Sequence, residues 1–494
     1  MDNNDIQSPL PPRQTTVEET VTETVKPEVN QTEAPTTVTT VSEVKPKFPV
    51  KILGVVGLIA LVMAVGILGM KLIKGGGGGG EVTLTYWGLW EDSAILEGII
   101  ADFETKNPGI KINYVKNQKD DYRTRLAGRL EKDPSSGDVP DIFRLHSSWW
   151  PMFSDKLAMV PETTSANIGL NTDYYDVYKN TLKQKGQFWA IPLMYDGLAM
   201  FYNKDLLESA SVQIPKSWWE LESAANKLTV RDDTGRIKIA GAALGLVDNV
   251  DQWSDILGLM MMQGGVNPLL SDPTNTKKLQ DVLTFYTLFY TKDKVWDESL
   301  PNSTELFANG KLAFYFGPSW RAFNINDINP NLDYEIAAVP QLPTTTDLSS
   351  NTTNETDLTN INWSTFWVEG VNKNSKKQKQ AWLFLEFLSQ KDNLEKLYKA
   401  AAETRAFGEI YPRVSMQEMM LQNPKTAPFV KAANTANSWY LCSRTFDGAS
   451  GINDDMTKYF GDAINSIVIK NMTPESVMVD LRNGIDQLKT RYKL

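Results

Sequence analysis

Residues 82–115 read VTLTYWGLWEDSAILEGIIADFETKNPGIKINYV. Val82–Tyr86 is an apolar and β-branched run of the length of a buried strand, and Ala94–Phe103 carries the apolar period of a helix. Asn107-Pro108-Gly109 ends that helix, and Ile110–Val115 (IKINYV) is the next strand. Strand, helix and strand at this spacing make a βαβ unit, which calls for a parallel sheet covered by helices. Further along, Asp121–Leu130 reads as a second helix and Asp141–Leu145 (DIFRL) as a third strand.

The same rhythm restarts after Pro192. Met200–Tyr202 is a strand, Ser217 is an N-cap whose capping box closes on Glu220, and the helix so begun runs to Leu228. Helical patterns at Asp251–Met262, Lys277–Tyr290 and Thr304–Ala308 precede a strand at Leu312–Phe316. The C-terminal stretch reads almost entirely as helix; Thr473 and Pro474 are expected to start a last one, ending near Tyr492. Pro343–Asn362 is polar and low in complexity, which predicts an exposed loop. A restart of the pattern within one chain predicts an α/β fold of two lobes.

Upstream of this body, the apolar run Ile52–Met70 spans about 28 Å as a helix, close to the hydrocarbon thickness of a bilayer. It begins too far from the N-terminus and runs too long for a signal peptide, and no small-residue cleavage pattern follows. The only cysteine, Cys442, is far away, so the run carries no lipidation site. Residues 49–74 are therefore expected to be one transmembrane anchor helix, residues 75–80 a glycine linker, and residues 1–48, rich in Thr, Val, Glu and Pro, a disordered cytoplasmic tail. Lysines flank both ends of the run, at 45, 47 and 51 and at 71 and 74, and the tail decides the orientation: N-terminus inside, body outside.

Composition excludes several classes of function. The chain carries 60 acidic against 50 basic residues, so it lacks the basic balance of a general nucleic-acid binder. One histidine and one cysteine leave neither a disulfide nor a usual zinc site, and no cofactor or metal is expected. No phosphate-binding G-x-x-x-x-G-K-[ST] occurs, and no G-x-S-x-G elbow accompanies His146.

Five strings then recur in a known order: TYWGLWEDSAILEGIIADFETKNPGIKINYV from Thr85, VPDIFRL from Val139, FWAIPLMYDGLAMFYNKDLLESA from Phe188, FANGKLAFYFGPSW from Phe307 and AWLFLEFLS from Ala381. In order and spacing they resemble the family 1 extracellular solute-binding proteins of ABC transporters, the group that includes maltose-binding protein. The resemblance implies a periplasmic-binding-protein fold of type II over residues 81–494: two α/β lobes joined by hinge strands and closing on a carbohydrate. Lobe 1 is expected at about 81–196 and 335–395, and lobe 2 at about 197–334 and 396–494. The implied partners are a sugar or another small polar solute and the permease subunits of an ABC transporter whose ATPase is a separate chain. The protein is expected to be a monomer.

A sugar site combines flat aromatic platforms with hydroxyl-binding polar groups, and open α/β sheets bind ligands beyond the carboxyl ends of their strands. Trp87, Trp90, Glu91 and Asp92 follow the first strand, His146, Trp149 and Trp150 the third, and Tyr195 and Asp196 lie at the first interlobe crossing. Trp320 and Arg321 follow the strand ending at Phe316, where the resemblance implies a sugar-stacking tryptophan; it also implies ligand contacts at Arg405, Trp439 and Tyr440. Trp218 and Trp219, inside the capping-box helix, are expected to be packing residues. The alternatives are a solute sensor or glycan-binding adhesin on the same fold and, less favoured, a glycoside hydrolase using a carboxylate pair drawn from Glu91, Asp92, Asp196 and Glu369.

Overall fold

The computed structural model describes residues 81–344 and 357–494. The expected anchor, linker and tail lie outside these residues, and none of the described helices is long and apolar enough to cross a membrane.

In chain order the strands that build the two main sheets are β1 (Val82–Gly88), β2 (Ile110–Lys116), β3 (Ile142–His146), β4 (Ile191–Pro192), β5 (Ala199–Asn203), β6 (Val230–Arg231), β7 (Ile237–Ala242), β8 (Leu312–Gly317), β9 (Tyr334–Ala337) and β10 (Trp367–Val371). The first sheet runs β2-β1-β3-β10-β4, the second β9-β5-β8-β7-β6. The opening βαβ unit forms as its sequence predicts, with Val82 opposite Ile110 in a parallel pair and α1 (Ser93–Lys106) between the two strands. β3 and β8 are buried along their whole length; β8 is apolar throughout, while β3 carries Arg144 and His146 into the interior.

The sheets are mixed rather than parallel. β10 runs antiparallel to both β3 and β4, and β5 runs antiparallel to both β8 and β9. These are the strands that enter each sheet from the other lobe, so their direction is set by the crossing and not by a local βαβ connection. β9 hydrogen-bonds within the second sheet, so a lobe division at 335 runs through that strand; the chain rejoins the first sheet at β10. The helix Lys391–Ala402 likewise stays on the first lobe, with Lys396 Nζ 2.5 Å from Asp102 of α1.

Local rules explain most element ends. Ser217 Oγ accepts from the Glu220 amide at 3.2 Å and the Glu220 carboxylate accepts from Ser217 N at 3.3 Å, a complete capping box for α2 (Trp218–Leu228). Trp218 is buried in that helix as a packing residue, while Trp219 lies partly exposed against Phe285. Thr473 does accept from Ser476 N, but residues 474–477 form a turn, and the last helix starts at Met478. The polar loop after Pro343 closes at its base through a bridge between Pro343 and Leu358, and Asn362 is buried where it pairs with Ala436.

The second lobe depends on a close approach of helix to sheet at Gly241. A Cβ built there would sit 2.1 Å from the backbone oxygen of Ala225 in α2, which has no side-chain freedom to yield. Gly241→Ala is therefore expected to destabilise the protein by about 1–3 kcal/mol, read as a lowered midpoint in urea denaturation.

Candidate functional site

The carboxyl ends of β1 and β3 and the amino end of β10 meet at one edge of the first sheet, because β10 is antiparallel and its register sets Trp367 opposite His146. Trp367 is half-buried and gathers an aromatic cluster around itself. Trp90 meets it edge-on at 5.0 Å, His146 at 5.2 Å and Trp149 at 5.3 Å between ring centroids. Trp149 is fully buried and stacks on Phe153 at 5.7 Å, so it backs the cluster. Trp90 and Trp367 retain partly exposed rings, the condition for a platform.

Beneath Trp90 lies a buried charge triad. Arg144, from the middle of β3, donates through Nε to Glu369 Oε1 at 2.8 Å and pairs with Glu91, while its guanidinium lies 5.4 Å from the Trp90 ring. Burial pushes the Glu369 carboxyl above its ordinary range, opposed by Arg144. Burial also tends to lower the pKa of Arg144, but Glu369 and Glu91 outweigh it and hold the guanidinium charged. His146 is pushed down to about 3 by burial, so it is neutral at physiological pH; its ring nitrogens meet Ser148 Oγ at 2.7 Å and Thr365 Oγ1 at 3.0 Å.

The second lobe contributes the turn after β8. Trp320 is half-buried, with the guanidinium of Arg321 4.6 Å and that of Arg444 5.8 Å from its ring centre. Both arginines reach Asp251 Oδ1, at 2.9 and 3.0 Å. Burial acts to raise the Asp251 pKa, but Arg321, Thr304 and Arg444 more than offset it and keep the carboxylate ionised.

A chain of polar contacts through the hinge links the two halves. Thr365, which touches His146, donates its amide to the Asp196 carbonyl at 3.2 Å, and the Asp196 carboxylate accepts from Ser319, the neighbour of Trp320. The structure thus groups Trp90, Glu91, His146 and Trp149, and ties Asp196 to the turn bearing Trp320 and Arg321. The other expected residues make different contacts. Trp87 is core, packed on Tyr122, and Trp150 lies against Trp189. Asp92 is exposed and paired with Lys116, and Arg405 pairs with Glu409 over Phe323. Tyr195 is buried and bridges to Ile410. Trp439 and Tyr440 pack on one another, and Trp439 also meets Phe460.

Sequence reading missed Trp367, Arg144 and Arg444. Trp367 and Arg444 acquire their positions from strands and loops far away in sequence, and only the antiparallel sense of β10 brings Trp367 to the edge of the sheet where β1 and β3 end.

With this geometry in place, comparison with known proteins is decisive on the family. The profile of the bacterial extracellular solute-binding proteins matches residues 87–395. This chain belongs to that family. Among curated relatives it is 24% identical to a putative binding protein of Brucella abortus, over 60% of this chain and 69% of the other. It is also 24% identical to the multiple sugar-binding protein of Streptococcus mutans, over 53% of this chain and 62% of the other. In fold it is similar to the sugar-binding protein MalE of Xanthomonas citri, with a TM-score of 0.64 at 17% identity, covering 83% of this chain and 98% of that one.

Within this solute-binding protein the triad is a buried arrangement that a single substitution can leave uncompensated. Arg144→Met strands two buried carboxylates and is expected to cost about 3–5 kcal/mol of stability. Without the arginine the Glu369 carboxyl rises further. A group raised in the folded state contributes stability that is present at low pH and lost as pH climbs through its folded value. The deficit of the variant against the native chain in urea denaturation should therefore be larger at pH 8 than at pH 5.

Proposed function

We propose that this protein captures a carbohydrate between its two lobes and delivers it to the permease of an ABC transporter. The observation that carries this reading is that each lobe presents partly exposed indoles, Trp90 and Trp367 on one and Trp320 on the other, with Trp90 beside the guanidinium of Arg144 and Trp320 beside that of Arg321. Sugar rings present apolar C–H faces to indoles and hydroxyl rims to charged hydrogen-bonding groups, which matches that composition. The sugar-binding names of the Streptococcus mutans and Xanthomonas citri proteins support the same ligand class.

Binding rather than catalysis is the role we assign to the acidic residues. Glu91 and Glu369 share one arginine, and Asp92 is held by Lys116 at the rim, so these carboxylates are committed to ion pairs. We further read residues 49–74 as a retained anchor and the glycines 75–80 as a leash of about 13 Å root-mean-square reach, placing the receptor outside the cell beside its permease.

Intrinsic tryptophan fluorescence, titrated with a panel of mono- and oligosaccharides, is the test. A saturable change is expected with at least one sugar. Trp367→Ala or Trp320→Ala should weaken that binding tenfold or more, whereas Trp219→Phe, remote from the platforms, should leave it within twofold. A folded sample that answers to none of the sugars overturns the carbohydrate assignment.

A further inference from the structure

A lysine-rich turn lies beside the point at which the chain passes from its glycines into β1. Residues 371–380 read VNKNSKKQKQ and place lysines at 373, 376, 377 and 379, in a chain whose acids outnumber its bases by 60 to 50. β10 is antiparallel to β3, so its carboxyl end at Val371 lies opposite Ile142, the first residue of β3, and the turn that follows sits at the amino-terminal edge of the first sheet. Lys377 Nζ donates to the Thr83 carbonyl at 2.8 Å, two residues from Glu81, where the glycines end.

Buried Asp141 fixes this turn to the strands. Its Oδ2 accepts from Thr85 N and from Lys377 Nζ, both at 2.9 Å, its Oδ1 accepts from Ser375 Oγ at 2.6 Å, and its carbonyl accepts from Asn372 N at 2.9 Å. Lys377 is thereby committed, whereas Lys373, Lys376 and Lys379 are exposed. Other lysines of the same edge are neutralised: Lys111 by Glu104, and Lys156, whose carbonyl accepts from Lys373 N, by Glu131 and Asp155. Lys373, Lys376 and Lys379 form no ion pair among the described residues; the charge of Lys376 reaches Asp133 without closing a salt bridge.

We propose that this turn is a docking surface for the anionic headgroups of the bilayer that holds the chain. The inference rests on the reading of residues 49–74 as a retained anchor. Covalent connection then keeps lysines and lipid together, because six glycines reach about 22 Å fully extended and about 13 Å root-mean-square. Lysines near an anionic surface are attracted to it within a Debye length, about 8 Å at physiological salt. The acidic remainder of the chain is repelled by the same surface, so charge favours this face over the others. β1 starts at this edge and is 7 residues long, which puts the carboxyl ends of β1 and β3, with Trp90 and His146, on the order of 20 Å from the docked face. Docking here therefore turns the aromatic edge of the first lobe away from the lipid.

The test uses the full chain, one copy to each lipid nanodisc, in discs of phosphatidylcholine alone and in discs that also contain phosphatidylglycerol. Lysines are acetylated, and their rates are read by peptide mass spectrometry. Phosphatidylglycerol should slow Lys373, Lys376 and Lys379 by about threefold or more, and high salt should restore them. Lys227 and Lys238, exposed on the second lobe, should react alike in both discs. A dye on Asn374→Cys, with buried Cys442 unlabelled, should transfer more energy to labelled headgroups when phosphatidylglycerol is present, and the triple variant Lys373→Glu, Lys376→Glu, Lys379→Glu should lose that gain. Alkaline carbonate treatment of vesicles bearing the native chain reports the anchor separately. A chain that carbonate extracts overturns the anchor and this docking together. A retained chain whose three lysines react alike in both lipids, or whose triple variant keeps the gain in transfer, overturns the docking alone.

Discussion

One chain has to serve two sheets, and the way it passes between them governs the rest of the molecule. Each crossing delivers a strand that runs against its neighbours, β5 into the second sheet and β10 into the first. The crossings lie side by side, pinned by the bridges of Tyr195 to Ile410 and of Gly197 to Ser364. Because they touch, a small rotation at that node moves one whole lobe relative to the other, the hinge behaviour such two-lobed receptors require. The node also delivers function: the second crossing leads directly into Trp367, and Asp196 of the first holds the turn that carries Trp320.

Buried charge lies beside the indoles of both lobes. Arg144 compensates Glu91 and Glu369, and Arg321 and Arg444 share Asp251, so each indole platform rests on a guanidinium whose orientation is fixed by carboxylates. Fixing these groups in advance removes part of the ordering entropy that a ligand would otherwise have to overcome. Asp196 and Asp255 differ in that hydrogen bonds alone hold them. Burial pushes Asp255 up to about 6 while Ser443 and Trp363 donate to it. Both stitch together segments distant in sequence.

The fold was legible wherever local rules decide it. The βαβ pattern of residues 82–115, the capping box at Ser217 and Glu220, and the unbroken apolar strand at 312–317 depend on side-chain period and capping chemistry within a few residues. The sense of β10, the membership of β9 in the second sheet and the first-lobe position of the helix 391–402 depend on partners far away in sequence, and the expected lobe limits at 335 and 395 cut through the last two. The site divides in the same way. Placing candidates after strand ends picked Trp90 and Trp320, whose side chains are partly exposed, together with Trp87, His146 and Trp149, which are buried. Strand position gives the edge of the sheet at which a residue lies; it does not give which way the ring turns.

By itself, then, the sequence determined an acidic two-lobed α/β body, its family resemblance and the loops in which aromatic residues would matter, because these follow from composition, periodicity and short motifs. Only the tertiary structure decided that Trp367 rather than Trp87 joins Trp90, that Arg144 lies beside Trp90, and that Ser364 and Ile410 bridge to the crossing at 195–197. Those outcomes rest on antiparallel register and long-range burial, and a residue's neighbours in the chain carry no information about either.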